Sequence, residues 1–245
     1  MASGRIPGKP ESWTRALLRC GLVAGPVFIT AFLLEGAVRD DGYRPLRHPV
    51  SSLALGPRGW TQEANFTVTG ALFLAAAAGL GRAGGAAAGT RGWTGPVVPL
   101  LVGAAGTGLI SAAVFPTDPV GGYPPGTPLA PSRPTRTGTA HNLSAVPVFI
   151  GLPVAAATCG WRSWRIGRRG FAGYSAGTAV AMLVTMALAG GGFGGSPATA
   201  PRLVKVGGLF QRASIVSGFT WLTALSARAL SDCDRATRSS RRPIT

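Results

Sequence analysis

The chain has 245 residues, of which 46% are hydrophobic and only 13% are charged, about half the charged share of a typical soluble domain. Its net charge of +16 would suit nucleic acid, but the basic residues lie between apolar segments instead of clustering with aromatic or polar partners. The composition therefore argues against a soluble domain and against a nucleic-acid partner, and it favours a lipid bilayer as the surroundings.

Six apolar segments predict an all-α integral membrane bundle, because each is close to the length that crosses a hydrocarbon core of about 30 Å. They cover residues 16–38, 63–81, 95–115, 140–160, 172–194 and 206–230. Residues 1–15 are polar and basic and are expected to form a disordered arm, and residues 231–245 a basic cytoplasmic tail. The sequence thus predicts one domain of about six transmembrane helices over residues 16–230.

Small residues and prolines inside these segments predict how the helices pack. Gly21 and Gly25 are four residues apart, as are Gly173 and Gly177, a spacing that lets two helices approach closely. The fourth segment contains two prolines, at positions 147 and 153, and a kink is expected there. Membrane helices tolerate such prolines where neighbouring groups satisfy the freed carbonyls.

Basic residues are unevenly divided between alternate connections, which predicts the orientation of the helices. Fifteen lie in the N-terminus, the second and fourth connections and the C-terminus: Arg5, Lys9, Arg15, Arg19, Arg82, Arg91, Arg162, Arg165, Arg168, Arg169, Arg228, Arg235, Arg238, Arg241 and Arg242. Eight lie in the other connections: Arg39, Arg44, Arg47, Arg58, Arg133, Arg136, Arg202 and Lys205. We therefore expect a multi-pass protein of the cell membrane with both termini in the cytoplasm and two long outer loops.

Polar residues that enter or border the apolar segments map mainly to the predicted outer face. Proton transfer is expected of Asp118, His141 and His48, and substrate binding of Glu35, Ser51, Gln211 and Arg212. Charged side chains at such depth are costly, so they normally face a cavity or a partner. These seven residues predict an outward-opening polar pocket.

Arg212 is the most deeply placed of these charges, about six residues into the last segment. It needs a partner, and Glu35 or Asp118 could supply the carboxylate. One interpretation is a structural ion pair that fastens helices together. The other is a pocket in which Arg212 holds an anionic group of the ligand.

Three kinds of site chemistry are open from the residues alone. Asp118 with a histidine could act as an acid–base pair, and Ser51 or Ser52 with His141 and Asp118 could form a nucleophilic triad, although no nucleophile elbow occurs. Two histidines and a carboxylate could bind a metal. However, no compact motif of metal ligands is present, so neither a metal nor another cofactor is predicted.

Several short stretches resemble the domain of unknown function 998 family. They are residues 47–56 (RHPVSSLALG), Gly59-Trp60, Asn65-Phe66, residues 115–119 (FPTDP), His141-Asn142 and residues 208–212 (GLFQR). The resemblance covers residues 16–230 and implies a small, mostly bacterial, multi-helix membrane protein. It supports the choice of site residues and implies no reaction.

The function expected from the residues is binding or modification of a lipid or other hydrophobic small molecule in the outer pocket. One alternative is a non-enzymatic transporter component or structural subunit, although a transporter is expected to show an internal repeat and an ionisable residue near the midplane. Another is an acid-initiated isoprenoid cyclase in which Asp118 or Glu35 donates the proton, an interpretation that rests on analogy.

Overall fold

The computed structural model describes residues 9–86, 94–129, 133–195 and 198–240. Its helices are α1 (Lys9–Val38), α2 (Gly59–Ala86), α3 (Val97–Val114), α4 (Arg136–Val146), α5 (Leu152–Arg165), α6 (Arg169–Gly194) and α7 (Pro201–Ser240). A π-helical turn, Pro147–Gly151, joins α4 to α5 in one kinked helix, and a 3₁₀ turn, Val50–Ala54, precedes α2. The only extended pairing in the described ranges is an isolated bridge between Val120 and Tyr123. The all-α prediction is confirmed.

Five helices are long and apolar enough to cross a membrane. They are Ser12–Val38, Gly59–Gly84, Val97–Val114, the kinked helix Arg136–Arg165 and Arg169–Gly194. The sixth predicted segment lies in α7, which is 40 residues long and more polar on average. It packs along α6 and α1, so six helices, counting α4 and α5 as one, form the bundle.

The first and last helices meet at the same end of the bundle. Arg15 Nε lies 3.1 Å from Asp234 Oδ1, and Arg15 Nη2 donates to Thr237 Oγ1 at 2.8 Å. Arg168, at the start of α6, pairs with Asp232 at 2.8 Å in the same region. We call this the terminal end, and we call the opposite one, where residues 39–58 and 115–129 lie, the loop end.

The first and last helices extend beyond the predicted domain. Residues 9–15 are helical although they were expected to belong to a disordered arm, and α7 continues through residues 231–240 of the predicted tail. The contacts of Arg15 with the end of α7 explain both extensions, because they join the two helix ends. Residues 1–8 and 241–245 lie outside the described residues.

Glycines mark the closest helix crossings. A Cβ at Gly21 would lie 2.1 Å from the Ser226 side chain, and one at Gly25 would lie 2.7 Å from the Phe219 carbonyl oxygen. This confirms the close contact predicted for that pair of glycines, since both face α7. The second predicted pair, Gly173 and Gly177, has no atom within 4 Å of the built Cβ, so it makes no such contact within the described chain.

Aromatic rings fill the centre of the bundle where α1, α2 and α7 meet. The ring of Phe219 lies 4.9 Å, centroid to centroid, from both Phe28 and Phe73, and Phe28 also contacts Phe66. Such pairs add about 0.5–1.5 kcal/mol beyond their area burial. The loop-end half of the bundle packs against this aromatic core.

Candidate functional site

A cavity of about 530 Å³ lies in the loop-end half of the bundle. Its volume falls in the range of about 300–1,000 Å³ that is usual for small-molecule sites. Its walls come from α1, α2, α3, the kinked helix, α6, α7 and the 3₁₀ turn. The cavity is therefore formed by the whole bundle and not by one loop.

The lining of the cavity is polar only toward the loop end. The polar residues, which we call the rim, all lie near the loop end: Ser51, Thr117, His141, Asn142, Ser144 and Gln211. The deeper lining includes Phe28, Phe66, Leu109, Val148, Ile215 and Phe219. None of the lining residues in the described chain is an aspartate, glutamate, lysine or arginine. The cavity is thus amphipathic and uncharged.

Gln211 is fixed at the rim by one half of its amide group. Its Oε1 accepts a hydrogen bond of 2.8 Å from the backbone N–H of Val50. Its Nε2 has no hydrogen-bond partner in the part of the chain that the structure describes. The Ser51 hydroxyl, on the same 3₁₀ turn as Val50, likewise has none there. Two groups at the rim are therefore available to an occupant.

His141 is held at the rim by the start of α4. Its Nδ1–H donates to the carbonyl oxygen of Phe115 at 2.8 Å, so the neutral ring carries its lone pair on Nε2. The Thr135 hydroxyl caps α4 by accepting from Gly138 N at 2.9 Å. His141 can therefore accept a hydrogen bond or a proton from a bound molecule through Nε2.

Asp118 supports this helix start and does not line the cavity. Its Oδ2 accepts from Thr135 N at 3.0 Å and its Oδ1 from the Thr135 hydroxyl at 2.7 Å. A carboxylate is favourable at this end of a helix because unpaired N–H groups carry partial positive charge there. Asp118, a predicted proton-transfer residue, therefore lies at the N-terminus of α4, where it holds Thr135.

The kinked helix leaves the cavity open on one side. Pro147 lies at the start of the π-helical turn and Pro153 just beyond it, as expected for residues without an N–H donor. Beyond this turn α5 packs along α6, whereas α4 does not. Val146 and Ile150, which line the cavity, are each about half exposed. The cavity therefore reaches the surface of the bundle between α4 and α6.

A buried charged cluster closes the loop end beside α1. The side chain of Arg39 is fully buried and bonds to Glu35 at 2.6 Å and to Asp41 at 3.1 Å. It also donates to the carbonyl oxygens of Leu53 and Leu55 at 2.5 and 3.1 Å and to the Tyr123 hydroxyl at 2.9 Å. We call this the Arg39 cluster; it joins α1 to both loops.

The ionisation of the Arg39 cluster fits this structural role. Burial opposes charge on Asp41, but hydrogen bonds from Tyr123 and Arg39 keep the pKa of Asp41 below its ordinary value. Burial and the Asp41 carboxylate raise the pKa of Tyr123 to about 12. The carboxylate and the guanidinium are therefore both ionised, and the phenol neutral, at physiological pH.

Arg212 is buried in a cage of oxygen atoms. Its Nη1 donates to the carbonyl oxygens of Pro45, His48 and Gly208, the last two at 3.0 Å, and its Nη2 to the Tyr43 hydroxyl at 2.5 Å. Residues 45–48 lie directly on α7, because a Cβ at Gly208 would be 2.4 Å from the His48 oxygen. Arg212 thus fastens the first loop to α7.

The ion pair expected between Arg212 and Glu35 or Asp118 does not form among the described residues. Glu35 pairs with Arg39, and Asp118 bonds to Thr135. The inward-turned carbonyl groups of the first loop supply the acceptors in place of a carboxylate.

His48 joins the two loops and is fully engaged. Its Nδ1 accepts from Arg44 N at 3.0 Å, and its Nε2–H donates to the Gly121 carbonyl at 3.3 Å. Burial lowers the pKa of His48, and the cations of Arg47, Arg44 and Arg212 lower it further, against the effect of the Gly121 bond. The ring is therefore neutral and has no free nitrogen for proton transfer.

The seven predicted site residues fall into two groups. Ser51, His141 and Gln211 line the cavity. The other four do not line the cavity and instead bond to groups of the loops and helix ends: Glu35, His48, Asp118 and Arg212. No three His, Cys, Asp or Glu side chains of the described residues are placed to hold a metal ion.

Sequence reasoning missed Arg39, which it counted only as a loop charge. The signal was its spacing of four residues from Glu35, which places both on one helix face. It also missed the apolar lining of the cavity, since the phenylalanines that form it read as ordinary membrane-helix residues.

Comparison with known proteins gives one match. The family described as "Protein of unknown function (DUF998)" matches residues 22–228. No curated protein and no solved structure matches the chain.

Proposed function

This chain belongs to the DUF998 family, and we propose that it is a multi-pass protein of the cell membrane that binds a lipid or other hydrophobic small molecule in the cavity between its helices. The family has no assigned function. The observation that carries the proposal is the cavity itself, which combines a ligand-sized volume, an apolar interior and a polar rim.

The surface of the bundle supports placement in a bilayer. Large apolar side chains are exposed along the helices, among them Leu34, Leu100 and Val180. Exposed tryptophans lie near helix ends, with Trp13 and Trp161 at the terminal end and Trp60 at the loop end, where interfacial anchors are expected. The excess of basic residues at the terminal end favours a cytoplasmic position for both termini.

Binding is better supported than chemistry. The proposed cyclase would need Asp118 or Glu35 as proton donor, but Asp118 bonds to Thr135 and Glu35 to Arg39, and neither lines the cavity. A nucleophilic triad would need Asp118 in the cavity as well. His141 is the one histidine, and the one ionisable group of acid–base range, among the described lining residues, so any proton transfer in the site would fall to it.

A cavity-blocking substitution tests the proposal. Gly194 lines the cavity, and a Cβ added there meets no atom within 4 Å, so Gly194→Phe can leave the backbone without a clash and add bulk at the cavity wall. Native mass spectrometry of the protein, gently extracted in detergent, should show a bound apolar molecule. We expect Gly194→Phe to reduce its occupancy at least fivefold.

The matched control is Gly190→Phe. Gly190 is in the same helix, its Cβ position is equally open, and it does not line the cavity, so it should keep the occupancy of the unchanged protein. If the unchanged protein carries no apolar molecule and takes none up, the proposal is wrong. It is also wrong if both phenylalanine variants bind equally well.

A further inference from the structure

We infer that the molecule bound in the cavity is an uncharged amphiphile: an apolar chain or ring system with a hydroxyl or carbonyl head, which enters sideways from the bilayer between α4 and α6. This inference rests on the proposed function, and it specifies the class of ligand and the route. It depends on three features of the structure, which are the charges around the cavity, the hydrogen-bonding groups of the rim and the opening beside α4.

Among the described residues, no cation lines the cavity where it could hold an anionic head. Arg212 donates to three carbonyls and Tyr43, and Arg39 donates to two carboxylates, two carbonyls and Tyr123. Neither side chain lines the cavity. A carboxylate or phosphate head in the rim would therefore be a buried charge without a partner, which is strongly unfavourable.

One further arginine lies close to the cavity but outside it. Arg47 lines a second, much smaller pocket, which shares Val120 and Phe193 with the cavity wall. Arg47 itself is not among the residues that line the cavity. A cationic head would also lack a partner, because no carboxylate is among the described residues that line the cavity. The charge distribution thus selects a neutral ligand.

The rim offers groups that match a hydroxyl or carbonyl. Gln211 presents an amide donor, because its oxygen is held by Val50. His141 presents the lone pair of Nε2, since its Nδ1–H is held by Phe115, and the Ser51 hydroxyl can donate and accept. A head placed at this rim would direct its apolar part toward Phe66 and Phe219 in the deeper half of the cavity.

The opening beside α4 gives such a molecule a path that avoids water. The π-helical turn separates α4 from α6, and Asn142, Val146 and Ile150 follow one another at four-residue intervals along the open edge. All three are exposed. The head can therefore slide past Asn142 while the apolar part stays beside Val146 and Ile150, in contact with the acyl chains of the bilayer.

A matched pair of probes tests the charge selectivity. Radiolabelled 1-hexadecanol and palmitate have the same chain length and differ in the charge of the head at pH 8. Equilibrium binding to the purified full chain in detergent should be at least tenfold tighter for hexadecanol. If palmitate binds as tightly or more tightly, the inference is overturned while the proposed function stands. If neither probe binds, both are overturned.

The variant Gln211→Glu sharpens this test. A glutamate oxygen can still accept from Val50 N, so the loop contact is kept, while the free amide donor becomes a carboxylate oxygen. We expect hexadecanol binding to weaken at least tenfold and hexadecylammonium to bind where it did not before. Unchanged selectivity in a folded variant would show that the rim does not hold the head, and this would overturn the inference.

A large side chain at the opening tests whether the ligand enters between α4 and α6. Val146→Trp places a large ring at the opening, and Leu143→Trp places the same ring on an exposed position of α4 that does not line the cavity. Uptake of hexadecanol from phosphatidylcholine vesicles containing the protein should slow at least tenfold in Val146→Trp alone. Equal uptake rates in the two variants would exclude entry between α4 and α6.

Discussion

Two polar regions lie side by side at the loop end, and they differ in how fully their hydrogen-bonding groups are used. In the Arg39 cluster and around Arg212, the cationic groups meet carboxylates, carbonyls and tyrosine hydroxyls of the same chain. At the cavity rim, the Gln211 amide and the Ser51 hydroxyl keep unused capacity. The buried charges therefore hold this fold together, and under the proposed function the unused neutral groups belong to the ligand site.

This difference has a physical basis. A buried charge has to be paired with an opposite charge or hydrogen-bonded within the chain, because its desolvation is costly. Neutral polar groups cost less to leave unpaired, so they can be kept free for a ligand. The following substitutions test whether the two regions can be separated in this way, beginning with the largest expected effect.

Removal of the Arg39 side chain should destabilise the protein most. Arg39→Ala leaves Glu35 and Asp41 without their cation and two loop carbonyls without a donor. Breaking a buried ion pair in this way costs about 3–5 kcal/mol. The measurement is thermal unfolding in detergent, followed by tryptophan fluorescence.

The control for that prediction is the exposed pair formed by Arg58 and Asp40 in the same loop. The two side chains are 48% and 91% exposed, and such surface pairs contribute about 0–1 kcal/mol. Arg58→Ala should therefore unfold close to the unchanged protein. Similar unfolding temperatures for Arg39→Ala and Arg58→Ala would mean that the Arg39 cluster does not hold the loops.

Removal of Arg212 should release the first loop. Arg212→Ala leaves the buried Tyr43 hydroxyl and three carbonyl oxygens without their donor. An unsatisfied buried group costs about 1–3 kcal/mol, and we expect a loss of about 2–3 kcal/mol. Amide hydrogen exchange in residues 43–50 should rise, whereas exchange in α5 should not.

The lysine variant separates charge from geometry at this position. Arg212→Lys keeps the charge but lacks the planar fork that reaches several acceptors together, so it should restore less than half of the lost stability. If amide hydrogen exchange in residues 43–50 of Arg212→Lys matches that of the unchanged protein, the positive charge alone is sufficient to hold the first loop.

The sequence predicted the helices well because their determinants are local. Six apolar lengths, the prolines of the fourth segment and the small-residue spacing of α1 each act within one helix or at one crossing, and the structure agrees with them. The helix extensions of α1 and α7 were missed because they depend on Arg15 meeting Asp234, more than 200 residues away. Patterns along the chain do not contain such contacts.

The candidate site was only partly predictable for the same reason. The depth of Arg212 was clear from the sequence, but its carbonyl partners depend on how the first loop folds onto α7. The cavity is open on one side because α4, before the π-helical turn, does not pack along α6 as α5 does. A proline predicts a kink, whereas the direction of the kink follows from the packing of the whole bundle.

Asp118 tests whether the predicted proton donor is structural. Asp118→Asn keeps one acceptor for Thr135 but loses the other, and we expect about 1 kcal/mol of destabilisation, as for a weakened helix cap. Hexadecanol binding should stay within twofold of the unchanged protein, because Asp118 does not line the cavity. A tenfold loss of hexadecanol binding with unchanged stability would show that Asp118 takes part in ligand binding.

His48 should make the stability of the protein depend on pH. Burial lowers the pKa of His48 in the folded protein, and Arg47, Arg44 and Arg212 act in the same direction. The unfolded chain therefore takes up a proton near the ordinary value of 6.5, while the folded ring stays neutral. Its contribution is complete above that pH and declines as the pH falls below it, by at most about 1.4 kcal/mol per pH unit.

Comparison of the unchanged protein with His48→Gln isolates this contribution, because the arginines around the ring keep their charge in both. Between pH 7.5 and 5.5 the unfolding temperature should fall more in the unchanged protein than in the variant. Because the folded ring stays neutral, it keeps accepting from Arg44 N and donating to Gly121 at both pH values, and it adds no charge beside the cavity. Hexadecanol affinity per folded molecule should therefore be the same at both pH values in His48→Gln and in the unchanged protein, and a loss at low pH in the unchanged protein alone would show that the loop contacts and the ligand site are not separate.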